Sequence, residues 1–188
     1  MRGGYIGQAW LVILLSLCFG GLLAGIEIQL GERIAENKRA ATRAQIPALV
    51  PGAVRGEEVV VDGSSLYRAV GVEGPVGWVL PGRGAGFADQ IEILIGLDAG
   101  AQTITGLYVL EQKETPGLGN KIEDGAWRQL FVGRAAGAPL TVVRPGTQGD
   151  GIDAITGATI SSESVCQIAN ETLARLRPQL AGRMDHGR

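Results

Sequence analysis

Histidine is nearly absent from this chain of 188 residues: the only one, His186, stands close to the end of the sequence. Ser-His-Asp and Cys-His catalysis both need a firmly positioned imidazole as general base. A histidine in a polar terminal segment does not provide one, because chain ends are usually frayed. The sequence also has too few histidines for a His-rich metal site. We therefore expect neither a catalytic side chain nor a metal site.

Basic residues are too few and too scattered to bind nucleic acid. Lys and Arg number 17 against 19 Asp and Glu, which gives a net charge of −2 without a dense basic patch. Cysteine is also scarce, since only Cys18 and Cys166 occur. They lie far apart, without the spacing of a metal or iron–sulfur motif, and are interpreted as two small buried apolar residues. The two cysteines do not indicate whether the protein resides in an oxidising or a reducing compartment.

A long apolar run near the start predicts a membrane anchor. No charged residue occurs from Gly3 to Ile26, and about 20 apolar residues suffice to cross a bilayer. A cleaved signal peptide is the main alternative, but Leu22-Leu-Ala-Gly-Ile26 offers only a poor cleavage site. We interpret residues 1–30 as a single transmembrane helix. Its orientation stays open, because basic residues stand on both sides of the run.

The region after the anchor divides by composition. Residues 31–52 are predicted to form a helical stalk and linker, with a helix over Glu32–Ala44 that Pro47 and Pro51-Gly52 end. Residues 53–180 are predicted to form one domain, and residues 181–188 a polar tail. The domain begins with short β-type runs separated by glycines. The predicted strands are Glu58–Val61, Leu66–Val70, Gly77–Leu80, Gln90–Leu97 and Thr103–Glu111.

The second half of this domain adds helices. Trp127–Phe131 is predicted to be a short helix and Leu140–Arg144 a strand. A stripe of apolar residues at helical spacing from Val165 to Leu176 predicts a C-terminal helix, which Pro178 should end. Strands in a run with helices set apart indicate an α+β fold with an antiparallel sheet.

Two glycine-bearing segments could hold a ligand. Glu114-Thr-Pro-Gly-Leu-Gly119 contains a Pro-Gly turn whose backbone a flat ligand could approach closely, although an ordinary connecting loop remains an alternative. Asp153-Ala-Ile-Thr-Gly-Ala-Thr159 precedes the C-terminal helix, where free N–H groups favour an anion such as phosphate. Its alternative is a capping segment, in which the Thr and Ser hydroxyls satisfy those N–H groups. The residues alone leave both interpretations open.

A third glycine-bearing run does not match a nucleotide fingerprint. Gly82-Arg-Gly-Ala-Gly86 lacks the third glycine of the dinucleotide motif, and no Gly-x-x-x-x-Gly-Lys-Ser/Thr occurs. We interpret this run as a solvated loop.

Taken together and in order, these motifs resemble a known family. Strand Asp89–Asp98, strand Ile104–Glu111, the segment Glu114–Gly119 and then Asp153-x-x-Thr-Gly-Ala-Thr159 look like the RnfG family, which belongs to the Rnf ion-translocating electron-transport complex. That family is related to NqrC of the sodium-pumping NADH:quinone reductase, which stays open as an alternative. The short region after the anchor favours the RnfG family.

The resemblance implies an electron-transfer flavoprotein. A dedicated flavin transferase would join FMN to Thr159 through a phosphoester. Thr156 stands where many members have Ser, and Asp153, Gly157 and Ala158 match the transferase recognition pattern. The residues implied to line the isoalloxazine or the ribityl chain are Glu114, Thr115, Gly117, Leu118 and Gly119.

The resemblance also implies a cellular location and partner proteins. The chain would span the cell inner membrane once, with its FMN-binding domain on the periplasmic side. It would pass electrons among the other subunits of a translocating complex, without a small-molecule substrate of its own. Two further hypotheses stay open: a self-contained membrane-tethered flavin reductase, and a non-redox scaffold in which Thr159 is a simple helix cap.

Overall fold

In the computed structural model, residues 4–61, 63–147 and 149–181 are described. The predicted tail 181–188 lies outside them, apart from the last residue of the C-terminal helix, and so does His186. The chain divides into two compact units, Met1–Ala41 and Thr42–Arg188.

The first unit consists of helix. Helix α1 begins at Gly4 and ends at Leu49, so its last turns belong to the second unit. Large apolar side chains from Trp10 to Ile34 are exposed along it. Among the described residues, this helix alone is long and apolar enough to cross a membrane. A signal sequence would pass the same test of length and composition.

The second unit contains seven strands and two further α-helices among its described residues. Their bounds are β1 Arg55–Val61, β2 Ser64–Val70, β3 Pro75–Ala85, β4 Gln90–Asp98, β5 Ile104–Glu111, α2 Gly125–Arg128, β6 Val142–Val143, β7 Ile152–Asp153 and α3 Thr159–Ala181. The first five strands form an antiparallel sheet in the order β1-β2-β3-β4-β5. The short strands β6 and β7 pair in parallel. These elements confirm the predicted α+β fold with an apolar N-terminal helix and a C-terminal helix.

Short 3₁₀ turns flank α2 at Gly119–Glu123 and Gln129–Phe131, where the sequence predicted one short helix at 127–131. The Trp127 indole packs edge-on against the Phe131 ring, with the centroids 5.1 Å apart. Its Nε1 donates a hydrogen bond of 2.8 Å to the carbonyl of Asp153 in β7. This contact fixes the start of the Asp153–Thr159 segment to α2.

The main core lies between one face of the sheet and α3. The alternation in β4 turns Ile91, Ile93 and Ile95 to this face, where each is at most 1% exposed. Val165 and Ile168 meet them from α3. The buried stripe of α3 thereby holds the first turn of that helix at one end of the sheet.

The end of α1 covers the opposite face of the sheet. Ile46 and Leu49 pack there against Val79 and Leu94, and Thr105 donates a hydrogen bond of 2.8 Å to the Leu49 carbonyl. The predicted helix end near Ala44 is therefore wrong: α1 continues through Pro47 to Leu49. Burial of this last turn outweighs the backbone hydrogen bond that proline cannot donate.

Two other boundaries differ from the prediction. Helix α3 continues past Pro178 to Ala181, because Leu176 and Leu180 on either side of the proline are buried. Strand β3 extends to Ala85 and pairs with β4 along the run that was interpreted as a solvated loop. A side chain at Gly84 would lie 2.6 Å from Cγ1 of Ile168, so glycine lets α3 approach this strand.

Candidate functional site

The first turn of α3 and the loop after β5 line one cavity of about 500 Å³. That volume lies within the usual range of sites for small organic ligands, roughly 300–1,000 Å³. The predicted residues Thr115, Leu118 and Gly119 line it from one side, and Gly157, Ala158 and Thr159 from the other. The structure thus brings together two motifs that are separate in the sequence. Its remaining lining residues are Phe87, Ile160 and Ser161.

Thr159 is the first residue of α3, and its side chain is exposed at the cavity. The amide of Ser162 donates to the Ala158 carbonyl at 3.1 Å, so Ala158 holds the N-cap position. Alanine has no polar side chain with which to cap the helix. The first amides of α3 therefore have no partner within the helix, and they favour an anion beside Thr159.

The neighbouring serines are engaged away from these amides. The Ser162 hydroxyl donates to the Ala158 carbonyl and accepts from the amide of Ile155, both at 3.0 Å. The Ser161 hydroxyl donates to Oε2 of Glu114. If the segment were only a helix cap, these two hydroxyl oxygens would accept hydrogen bonds from the first amides of α3. In the structure they have other partners.

The loop after β5 is a tight turn. The amides of Leu118 and Asn120 both donate to the Thr115 carbonyl, and the Asn120 side chain accepts from the amide of Gly117 at 2.7 Å. Gly117 has a φ of +79°, a conformation that glycine adopts without steric cost. The turn presents Leu118 at the cavity, where its side chain is 44% exposed.

Gly157 also has a positive φ, of +82°. A Cβ atom there would lie 2.9 Å from Cδ2 of Leu118 on the opposite side of the cavity. Glycine thus provides both the backbone conformation and the space between the two loops. Gly117 itself, Asp153, Thr156 and Glu114 do not line this cavity.

Glu114 lies next to the cavity and is only 4% exposed. Its Oε1 accepts from the amide of Ala88 at 3.0 Å, and its Oε2 from the Ser161 hydroxyl. Burial alone would raise the pKa of Glu114, but the Ser161 hydroxyl and the amides of residues 87–89 outweigh it. The pKa therefore lies below its ordinary value, and Glu114 is ionised at neutral pH.

Phe87 is a lining residue that no sequence pattern selects. It follows the end of β3 and is 62% exposed, while Ile160 beside Thr159 is 51% exposed. Single exposed apolar residues are common, but here Phe87, Leu118 and Ile160 surround one cavity. Such an opening suits a flat aromatic ligand that carries a polar tail.

Comparison with known proteins agrees with this geometry. Residues 86–174, which include every lining residue of the cavity, match the FMN-binding domain family. This part of the chain is therefore similar to an FMN-binding domain. The match agrees with the resemblance predicted from the sequence, and it indicates that the ligand of the cavity is a flavin nucleotide.

The chain is similar to components of redox complexes. It is 39% identical over 98 residues to the G subunit of the Na(+)-translocating ferredoxin:NAD(+) oxidoreductase complex of Acetobacterium woodii, covering 50% of this chain and 46% of that protein. It is 37% identical over 116 residues to the G subunit of the ion-translocating oxidoreductase complex of Methanosarcina acetivorans, covering 60% of each. The chain thus spans about half the length of the curated relatives it matches.

A solved structure shares the fold. NqrC of Shewanella oneidensis superposes with a TM-score of 0.59 at 20% identity, covering 71% of this chain and 72% of that one. At this identity the likeness concerns the fold alone. It agrees with the sheet and C-terminal helix that place the cavity of the FMN-binding domain.

Proposed function

We propose that this chain is an electron-transfer subunit of a membrane-bound, ion-translocating oxidoreductase complex, and that Thr159 carries its FMN covalently. The observation that supports the proposal most is the position of Thr159. Its exposed side chain stands at the uncapped start of α3, beside a cavity within the FMN-binding domain. The names of the Acetobacterium woodii and Methanosarcina acetivorans relatives support the role in a complex.

The residues around the cavity fit a flavin. The apolar side chains of Phe87, Leu118 and Ile160 can contact an isoalloxazine ring, and glycine at 157 leaves space beside Leu118. The free amides at the start of α3 can donate hydrogen bonds to a phosphate beside Thr159. Bound FMN would supply the redox chemistry, while these residues hold and orient it.

Attachment would form a bond between Oγ of Thr159 and the flavin phosphorus. The hydroxyl loses its proton, and a pyrophosphate-linked flavin donor loses a nucleotide as leaving group. A dedicated flavin transferase would catalyse this step and read Asp153, Thr156, Gly157 and Ala158 around the acceptor. The proposal gives Glu114 a supporting position beside the cavity, because the structure buries it there.

The proposal includes an inner-membrane location. Residues 9–49 include a helix long and apolar enough to span a bilayer once, which supports an anchor. By the resemblance described above, the FMN-binding domain would stand on the periplasmic side. Protease added to intact spheroplasts should then digest the domain, and protection until the membrane is broken would contradict this orientation.

Mass spectrometry tests the attachment. Protein produced together with an active flavin transferase should carry one FMN adduct on the peptide that contains Thr159, and Thr159→Val should abolish it. Ser164→Ala is a matched control, because it removes a hydroxyl from the same helix at a position that does not line the cavity. An unmodified mass for the wild-type protein, or an adduct that survives Thr159→Val, would contradict the proposal.

A further inference from the structure

The charges around the cavity are unusual for a site that takes a phosphate. None of its nine lining residues, all within the described chain, is Lys or Arg. The carboxylate of Glu114 contacts the lining residue Ser161 directly, which brings a negative charge next to the start of α3. Phosphate sites normally provide positive charge or many donors.

The carboxylate of Glu114 is held firmly in this position. Ala88 and Ser161 donate to its two oxygens from different segments of the chain. A Cβ atom at Gly119 would lie 2.8 Å from Cβ of Glu114 and 3.0 Å from its Oε2, so glycine here makes room for the carboxylate. The negative charge is therefore a fixed part of the site.

The charges of the helix start and of Glu114 act differently on a phosphate monoester and on a phosphate diester. The start of a helix is equivalent to about half a positive charge, whereas Glu114 contributes a full negative charge. The free phosphate monoester of FMN carries roughly −1.5 to −2 at neutral pH. Once the phosphate is esterified to Thr159 it is a diester, which has lost one ionisable oxygen and carries a single negative charge. The site opposes the free monoester more strongly than the attached diester.

Resting on the proposed function, we propose that Glu114 makes the cavity select against free FMN, so that flavin phosphate is retained there only as the ester of Thr159. The ionised side chain acts on the phosphate through space and through the first turn of α3. Glu114 thus positions and selects the phosphate and does not contact the isoalloxazine ring. The covalent bond then supplies the retention that a basic side chain supplies in other phosphate sites.

Flavin binding to the unmodified protein tests this proposal. The full chain is produced without flavin transferase, and its dissociation constants for riboflavin and for FMN are measured by fluorescence titration. Wild-type protein should bind FMN no more tightly than riboflavin, because the phosphate adds no favourable binding free energy. Glu114→Gln should raise the affinity for FMN about tenfold and leave that for riboflavin unchanged.

A control variant separates the charge of Glu114 from a general change in charge. Glu163→Gln removes an exposed carboxylate from the same helix and should leave the ratio of the two affinities unchanged. Circular dichroism checks that each variant is folded.

Either of two results would overturn the proposal. One is a wild-type protein that binds FMN at least tenfold more tightly than riboflavin, a measurement that needs no variant. The other is a folded Glu114→Gln protein without increased FMN affinity, including the case in which neither flavin binds. The proposed function fails separately, because its test is the FMN adduct on Thr159 in protein produced with the transferase.

Discussion

The Ser161 hydroxyl donates a hydrogen bond to Oε2 of Glu114, and this bond joins two segments that lie 47 residues apart in the sequence. Both partners are buried, Ser161 at 2% and Glu114 at 4% exposure. Each belongs to one of the two segments that meet at the cavity. The geometry of the cavity therefore depends on this pair.

The pair makes the stability of the unmodified protein depend on pH. The pKa of Glu114 in the folded state lies below its ordinary value of 4.5. Ionised Glu114 therefore adds its full stabilising free energy above pH 4.5, and this free energy is lost as the pH falls through the lowered folded-state pKa. Urea unfolding followed by tryptophan fluorescence should show a smaller loss of stability in acid for Glu114→Gln than for the wild type.

Glu163→Gln provides the comparison for that measurement, because it removes an exposed carboxylate from the same helix as Ser161. Glu57 and Asp89, whose pKa values are also lowered, are present in all three proteins. Identical acid dependence of Glu114→Gln and wild type would contradict the assignment of an ionised, hydrogen-bonded Glu114.

Three glycine variants separate backbone strain from crowding at the cavity. Gly157→Ala combines a positive φ with a contact of 2.9 Å to Leu118, and should cost about 1–3 kcal/mol of unfolding free energy. Gly146→Ala has a similar φ of +80° but open space, so it should cost less. Gly125→Ala has neither constraint and should be nearly neutral. Thermal unfolding measures all three, and equal costs at Gly157 and Gly125 would contradict the structure.

The end of α1 should contribute to the stability of the second unit, Thr42–Arg188. Ile46 is completely buried against the sheet, so Ile46→Ala should cost roughly 2–5 kcal/mol of unfolding free energy. Ile34→Ala is the same substitution on the same helix at a side chain that is 49% exposed, and it should have little effect. Denaturant unfolding of the detergent-solubilised chain compares them. Similar stabilities of the two variants would show that the last turn of α1 is dispensable.

Cys166 should be inert in the folded protein. Burial, with a smaller contribution from the nearby Glu163 carboxylate, raises the pKa of its thiol to about 12. The thiolate is the reactive form, so a maleimide at pH 8 should label it only after denaturation. A Cys18→Ser background leaves Cys166 as the sole thiol, and mass spectrometry counts the label. Stoichiometric labelling of the native protein would contradict this burial.

The sequence predicted elements wherever local pattern and tertiary packing agree. The alternation around Ile93 identified β4, and the helical stripe from Val165 identified α3. The end of β3 was missed because Pro81, Gly82 and Gly84 have low strand propensity. These residues are extended because β4 pairs with them, and α3 packs closely where Gly82 and Gly84 lack side chains. Neither contact can be recognised from the local sequence.

The same reasoning applies to the site. The Glu114–Gly119 and Asp153–Thr159 segments could be selected from their glycines and hydroxyls, and the structure places parts of both at one cavity. Phe87 could not be selected, since one aromatic residue after a strand carries no local signal. The role of Glu114 as a buried acceptor was also hidden, because its donors at Ala88 and Ser161 come from distant segments.

The cavity exists only when residues around 87, 115–119 and 157–161 have come together, which requires strands β3 to β5 and α3 to be in place. A nascent or misfolded chain contains the threonine but lacks its surroundings. If Thr159 carries FMN as proposed, and if the modifying enzyme reads that assembled surface, then flavin attachment follows folding. Yellow colour would then report that a molecule has reached its folded state.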